Sequence, residues 1–443
     1  MSLKLSKNII YYWFPVLPFL GYWVFSYLAF HFGPFVTPEL DFATHVYFVS
    51  CIVIFVIAYH FGLGTRLTII DHHFSRDNIV ALKLLKITSW LTFIGTMLLL
   101  VDRMSSGAGS FYLVKNNMAD IREIYAGNTT FLTTFGALPQ SFYLVTLASY
   151  FYCGMRMLPI PRFVHLLIFA TFVCQVLNMI LSANRGALLW IALYALFYAG
   201  FCIRINLFKV KFIRKNVFKI ALAVVCVISS WMYFLYVAQH RVVDTTAMYL
   251  GREASHLLKY QFVSDSVDYA ALGAQHQLFY YFTHGFVYID AILKNAPVIN
   301  LDLLSPLGIR VESQIARFFP GYVFPAKKDI LFSVESAGLS RFGWPSTFGA
   351  APAFFGIIGS LLFFYALGFV AGYSTRRCIR SNRLGWLIIV FTIYASLNIS
   401  FDWILRDFEQ YVAMFVGIYL VRKRSGLLTA NPVGKYPNAD LGL

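Results

Sequence analysis

The sequence predicts an all-α polytopic membrane protein with about 10 transmembrane helices and one long extracytoplasmic loop containing short helices. Three observations carry this. Of the 443 residues, 59% are hydrophobic and only 13% are charged, where an ordinary soluble domain has about 25% charged. Apolar runs near the ~20 residues that a helix needs to cross a bilayer recur along the whole chain. The Lys and Arg residues fall mainly in short segments between those runs, which is an orientation signal. The net charge of +16 therefore points to a lipid bilayer and not to a nucleic-acid partner.

The spans are predicted at residues 9–31, 44–64, 87–104, 131–153, 163–183, 186–203, 220–239, 349–373, 385–402 and 404–421. The first follows Lys4 and Lys7 with no small-residue cleavage site behind it, so it reads as an uncleaved span. The chain then divides into residues 1–239 with spans one to seven, a loop at 240–348, spans eight to ten at 349–421 and a tail at 422–443. With both termini inside, inner segments hold 22 of the 36 Lys and Arg, short outer segments hold five, and the long outer loop holds nine. The acids run the other way: only Asp71, Asp77 and Asp440 are inner. The six cysteines avoid the long outer loop, so no disulfide framework is indicated.

Two outer pieces are large. Residues 102–130 contain NNMADIREIYAGN, read as a short interfacial helix stopped by Gly127. In the loop 240–348, residues 250–262 and 276–294 have helical spacing, and LSPLGIRVESQIARFFPGYVFP supplies Pro and Gly breaks. There is no internal repeat or low-complexity tract.

The stretch LSANRGALLW, residues 181–190, puts Arg185 between two long apolar runs. Ser182 and Asn184 suit a helix cap, so spans five and six form a tight outer hairpin with Arg185 at its tip. The free N–H groups and dipole of the new helix favour an anion there, and a guanidinium fork matches phosphate oxygens. The plainer reading is an arginine snorkelling to the headgroups. Arg122, Arg241, Arg341 and Arg406 also lie at or beside outer ends of spans. Together the five arginines could converge on one diphosphate. Each has a structural alternative: Arg122 can pair with Asp120 or Glu123, and Arg406 with Glu409.

The candidate base is His284, in YYFTHGFVYID, with Asp290 six residues on and Asp407 as a rival. An imidazole can take a proton near neutral pH, although a histidine among aromatics is also a common structural residue. The sequence has no HExxH, CxxC pair, Walker loop, GxGxxG or nucleophile elbow. Asp71-His72-His73 lacks a partner at metal-ligand spacing. No ATP use, cofactor or structural metal is expected. Asn128-Thr129-Thr130 fits a glycosylation sequon, but nothing else suggests a eukaryotic secretory protein.

Several motifs occur in order: NNMADIREIYAGN after span three, the SANRGALL hairpin, AQHR ending span seven, IARFFPG in the long loop, GWPSTFGAAPAFFGIIG opening span eight, and LRD at the last outer turn. In this order and spacing the chain resembles the Wzy-type O-antigen and oligosaccharide repeat-unit polymerases of bacterial envelopes. The resemblance implies a GT-C-like, metal-independent glycosyltransferase in the bacterial inner membrane, with its active site facing the periplasm. It would move a growing glycan from undecaprenyl diphosphate onto the non-reducing end of a lipid-linked repeat unit. By the same carry-over Arg122, Arg185, Arg241 and Arg406 serve the diphosphate or its transition state, while Arg341 and His284 rest on the residue reading. A chain-length regulator in the membrane is a possible partner.

Alternatives from the residues are an O-antigen ligase, another lipid-sugar-dependent transferase using Glu39 and Asp41 of TPELDF, or a flippase for the same lipid-linked sugars. Transporters tend to carry inverted repeats and paired broken helices, and the sequence shows neither.

Overall fold

The computed structural model describes residues 13, 16–35, 37–64, 76–105, 131–155, 158–181, 232, 279, 283, 285–294, 346–381, 384–397 and 412–421. The elements there are helices: α1 (Leu17–Phe32), α2 (Phe42–Leu63), α3 (Arg76–Ser105), α4 (Phe131–Ser141), α5 (Tyr143–Met155) and α6 (Arg162–Leu181). They continue with α7 (285–294), α8 (Thr347–Ser381), α9 (Leu384–Leu397) and α10 (Val412–Val421). Three are long and apolar enough to cross a membrane, within Phe42–Leu63, Asn78–Ser105 and Thr347–Arg377. The chain is an all-α, multi-pass membrane protein. Predicted spans six and seven, at 186–203 and 220–239, lie outside the described residues apart from Met232.

Among the described helices, α2 and α8 pack most extensively on each other. Gly368 and Gly372 stand four residues apart on α8, and a Cβ at either would overlap the Phe55 or Tyr59 carbonyl oxygen of α2. Gly62 of α2 makes the reciprocal approach to the Phe369 carbonyl. Between helices in lipid there is little hydrophobic drive, so small residues that let backbones touch supply the attraction.

Helix α3 corrects one predicted boundary. It begins at Arg76, well before residue 87. Its added turns are amphipathic: Val80, Ala81, Leu84 and Leu85 are buried, while Lys83 and Lys86 face outward. Two lysines in an apolar window read as a loop, although they occupy one face of a helix. Lower down, Thr88, Ser89, Thr92 and Thr96 return their hydroxyls to carbonyls one turn back. Thr92 also meets Thr146 of α5 at 3.0 Å. Gly95 of α3 packs on Gly136 and Gln140 of α4.

Two predicted spans are interrupted, contrary to the expectation of unbroken helices. Span four is α4 and α5, parted at Phe142 just after Pro139, where Phe142 N–H turns to the Pro139 carbonyl at 3.3 Å. In span eight, Pro352 is followed by Gly356 at φ 68° and ψ 177°, a conformation open essentially to glycine. Ser346 caps the N-terminus of α8, its Oγ 3.4 Å from the Gly349 N–H. At the other side of the bundle, Gly417 of α10 lies against Val145 of α5 and Ile388 of α9.

Candidate functional site

The end of the bundle predicted to be outer is built around the turn between α1 and α2. Gly33, Pro34 and Pro38 stop the chain from continuing as a helix. Thr37 Oγ1 donates to the Phe30 carbonyl at 2.9 Å, satisfying an acceptor at the end of α1. Asp41 is the N-cap of α2, yet its side chain makes no capping bond. A residue far along the chain does this work. Asp290 of α7 accepts from the Asp41 N–H at 2.9 Å and from the Thr44 hydroxyl at 2.6 Å, through one oxygen, Oδ1. In a capping box, an acid three residues into the helix reaches back to the N-cap N–H. Here that position is Thr44, and Asp290 supplies the carboxylate from another helix.

Lys294, one turn beyond Asp290, completes the clasp. Its Nζ is 2.6 Å from Asp290 Oδ2 and 3.3 Å from Asp41 Oδ2. Partial burial by itself pushes the Asp290 carboxyl up, but the Lys294 ammonium, the Thr44 hydroxyl and the Asp41 N–H outweigh it and hold the group below the usual value of 3.8. The negative carboxylate also suits the positive end of the α2 dipole.

The apolar face of α7 enters the core. Phe286 and Ile289 are fully buried. The Phe286 ring centroid is 4.9 Å from that of Phe48 and 6.1 Å from that of Trp23. Phe348, in the first turn of α8, packs on the same two rings at 5.1 and 4.6 Å. Residues of α1, α2, α7 and α8 thus share one aromatic cluster.

Beside it lies a titratable group of three. Tyr27 Oη is 2.8 Å from His45 Nδ1. The imidazoles of His31 and His45 have centroids 5.0 Å apart at an interplanar angle of 41°. The Tyr27 ring presents edge contacts to His31 at 4.6 Å and to His45 at 5.8 Å. All three side chains are partly exposed.

The residues singled out from sequence, Arg122, Arg185, Arg241, Arg341, Arg406 and His284, lie outside the described residues, as does Asp407. Their described neighbours are informative. In the chain His284 falls between the described Thr283 and Gly285, and Arg341 precedes the Ser346 cap by five residues. Arg185 follows the end of α6 at Leu181 by four. There the structure adds a residue that sequence reasoning used only for orientation. Arg103, in the last turn of α3, donates through Nη1 to the Asn178 carbonyl in the last turn of α6. It ties α3 to α6, the helix that ends four residues before Arg185. Also missed was the pair His31 and His45, visible as two histidines framing the short loop HFGPFVTPELDFATH.

Among the described residues, no group of three or more His, Cys, Asp or Glu side chains is placed to hold a metal ion. No protein-family model, curated protein or solved structure matches this chain.

Proposed function

We propose that the protein is a repeat-unit polymerase of the Wzy type, set in a bacterial inner membrane with its active site on the periplasmic side. It transfers a growing glycan from undecaprenyl diphosphate to the non-reducing end of a lipid-linked repeat unit, without a metal ion. The ordered motifs of the sequence suggest the chemistry. The structural observation that carries the reading is the clasp of α7 onto the α1–α2 turn, with Phe286 and Phe348 packed on the same two rings. In the chain α7 follows His284, read as a candidate base, and α8 follows Arg341, read as a candidate phosphate ligand. Arginines at such a site would neutralise charge building on the diphosphate as the sugar–phosphate bond breaks.

A flippase for the same lipid-linked sugars is the second reading. The interruptions at Phe142 and Gly356, in predicted spans four and eight, favour it, because broken helices are a transporter device.

One experiment separates the two. The gene is deleted in its own host, and the surface glycan is resolved on a gel after complementation with wild type, Arg185→Ala or Arg185→Lys at matched membrane levels. Polymerase function predicts a single repeat unit on the anchor in the deletion, and a ladder restored by wild type alone. Failure of the lysine variant as well would assign Arg185 a role in fork geometry beyond charge. No repeat on the anchor at all would favour export, or the ligase alternative. An unchanged ladder would reject the reading.

A further inference from the structure

We propose that His45 is the proton acceptor for the attacking sugar hydroxyl, held in position by Tyr27 and flanked by His31. This rests on the glycosyl-transfer reading above and assigns its base to His45 in place of His284, the candidate read from the sequence.

The argument begins with what such a base needs. It must carry a lone pair near neutral pH, sit where a substrate can reach it, and be held in one tautomer. His45 is in the first turn of α2, at the end of the bundle predicted to be outer, and is partly exposed. Its Nδ1 is engaged by Tyr27 Oη at 2.8 Å. When Nδ1–H donates to that oxygen, Nε2 bears the lone pair, as in any imidazole whose other nitrogen is tied.

The surrounding charges fit this role. On α1, His31 packs on His45 with ring centroids 5.0 Å apart. On α2, Asp41 stands one turn before His45, and its carbonyl accepts from the His45 N–H at 3.4 Å. On α7, Lys294 directs its charge into Asp290 and Asp41. Those two carboxylates are thereby occupied in an ion pair, which leaves the imidazole as the better base of the group. Phe32 and Phe42, exposed at 76% and 82%, flank the same turn and offer flat faces to sugar rings.

The step balances simply. The acceptor O–H bond breaks and its proton passes to His45 Nε2. The freed oxygen lone pair forms the bond to the donor's anomeric carbon. The bond from that carbon to the diphosphate oxygen breaks, and its electron pair leaves on the diphosphate. His45 then returns its proton to water.

The test uses membranes of the deletion strain, in which lipid-linked repeat units accumulate, supplied with full-length protein and assayed for ladder formation from about pH 5.5 to 8.5. Wild type is expected to lose rate on the acid side as the imidazole becomes protonated. His45→Gln is expected to slow polymerisation about 100-fold or more and to abolish the acid limb. Tyr27→Phe should keep the protein in the membrane and lower kcat with little change in KM, a split that a merely structural tyrosine would not produce. A His45→Gln protein with the wild-type rate and acid limb overturns the assignment. If His45→Gln does not accumulate, an unchanged kcat in Tyr27→Phe overturns it instead. Should wild type itself build no ladder from these units, the glycosyl-transfer reading fails first, a result distinct from an active wild type indifferent to His45.

Discussion

Tyr47 donates its hydroxyl proton to the carbonyl of Phe348 at 3.0 Å, from α2 to the first turn of α8. The acceptor is the one that Pro352, four residues on, cannot serve, because proline has no N–H. A buried carbonyl without a donor costs about 1–3 kcal/mol. Tyr47 removes that cost from a neighbouring helix. Tyr47→Phe should therefore lower the thermal unfolding midpoint in detergent by an amount equivalent to about 1–3 kcal/mol. Pro352→Ala in the same chain should recover most of it by restoring the intrahelical donor. A double variant no better than Tyr47→Phe alone would show that the hydroxyl acts elsewhere.

The Asp290 clasp has a pH signature. A carboxyl held below its ordinary value in the folded state stabilises that state above the unfolded pKa and loses the contribution as pH falls through the folded value. Asp290→Ala should thus cost about 2 kcal/mol at pH 7. The gap from wild type should stay level down to about 3.8, the ordinary value, and close below it. Unfolding midpoints measured across that range decide the matter; a gap that widens on acidification contradicts the assigned direction.

The α2–α8 seam should be intolerant of bulk. Gly372→Val drives two methyls into the Tyr59 backbone and should destabilise the protein by about 3 kcal/mol, read as loss of monodisperse material on size exclusion. Gly21→Val is the matched control, since a Cβ there meets nothing within 4 Å. Equal losses in both variants would mean that helix propensity, not the seam, is responsible.

Thr92 and Thr146 give a smaller, sharper test. Their hydroxyls meet between α3 and α5. Each hydroxyl has a single proton and the carbonyl one turn back as an alternative acceptor, so whichever donates across the pair can turn to its own carbonyl when the other is removed. A double-mutant cycle of Thr92→Val and Thr146→Val should yield a coupling near 0.6 kcal/mol, the average for such bonds between membrane helices.

Legibility in the sequence followed the range of the interaction. Helical spacing at 276–294 foretold α7, because Phe286, Ile289 and Asp290 fall on one face within three turns. The start of α3 was hidden by Lys83 and Lys86, which lower the mean apolarity of a window without disturbing its periodicity. The breaks near Pro139 and Gly356 sit inside runs that remain apolar throughout, so a reading by hydrophobicity passes over them. Gly368 and Gly372 spell a small-residue motif that could have flagged the seam. The capping of Asp41 by Asp290 had no local trace, since 249 residues separate donor and acceptor and each acid looks ordinary in its own stretch. Of the candidate site, the sequence offered an expectation about which side the charged residues occupy, whereas the pairing of His45 with Tyr27 required two helices to be set side by side.

The seam between α2 and α8 also sets a clock on biogenesis. Tyr47 and Phe348 are 301 residues apart in the chain, and a ribosome working at about 5–20 residues per second takes about 15–60 s to cover that distance. For that interval α2 is already made while the helix that fits its groove is not. Until then the notch at Gly62 must be filled by lipid tails or by an insertion factor. A message truncated before residue 347 would release a protein with this surface permanently open, and quality-control proteases of the membrane would meet it as an orphaned helix.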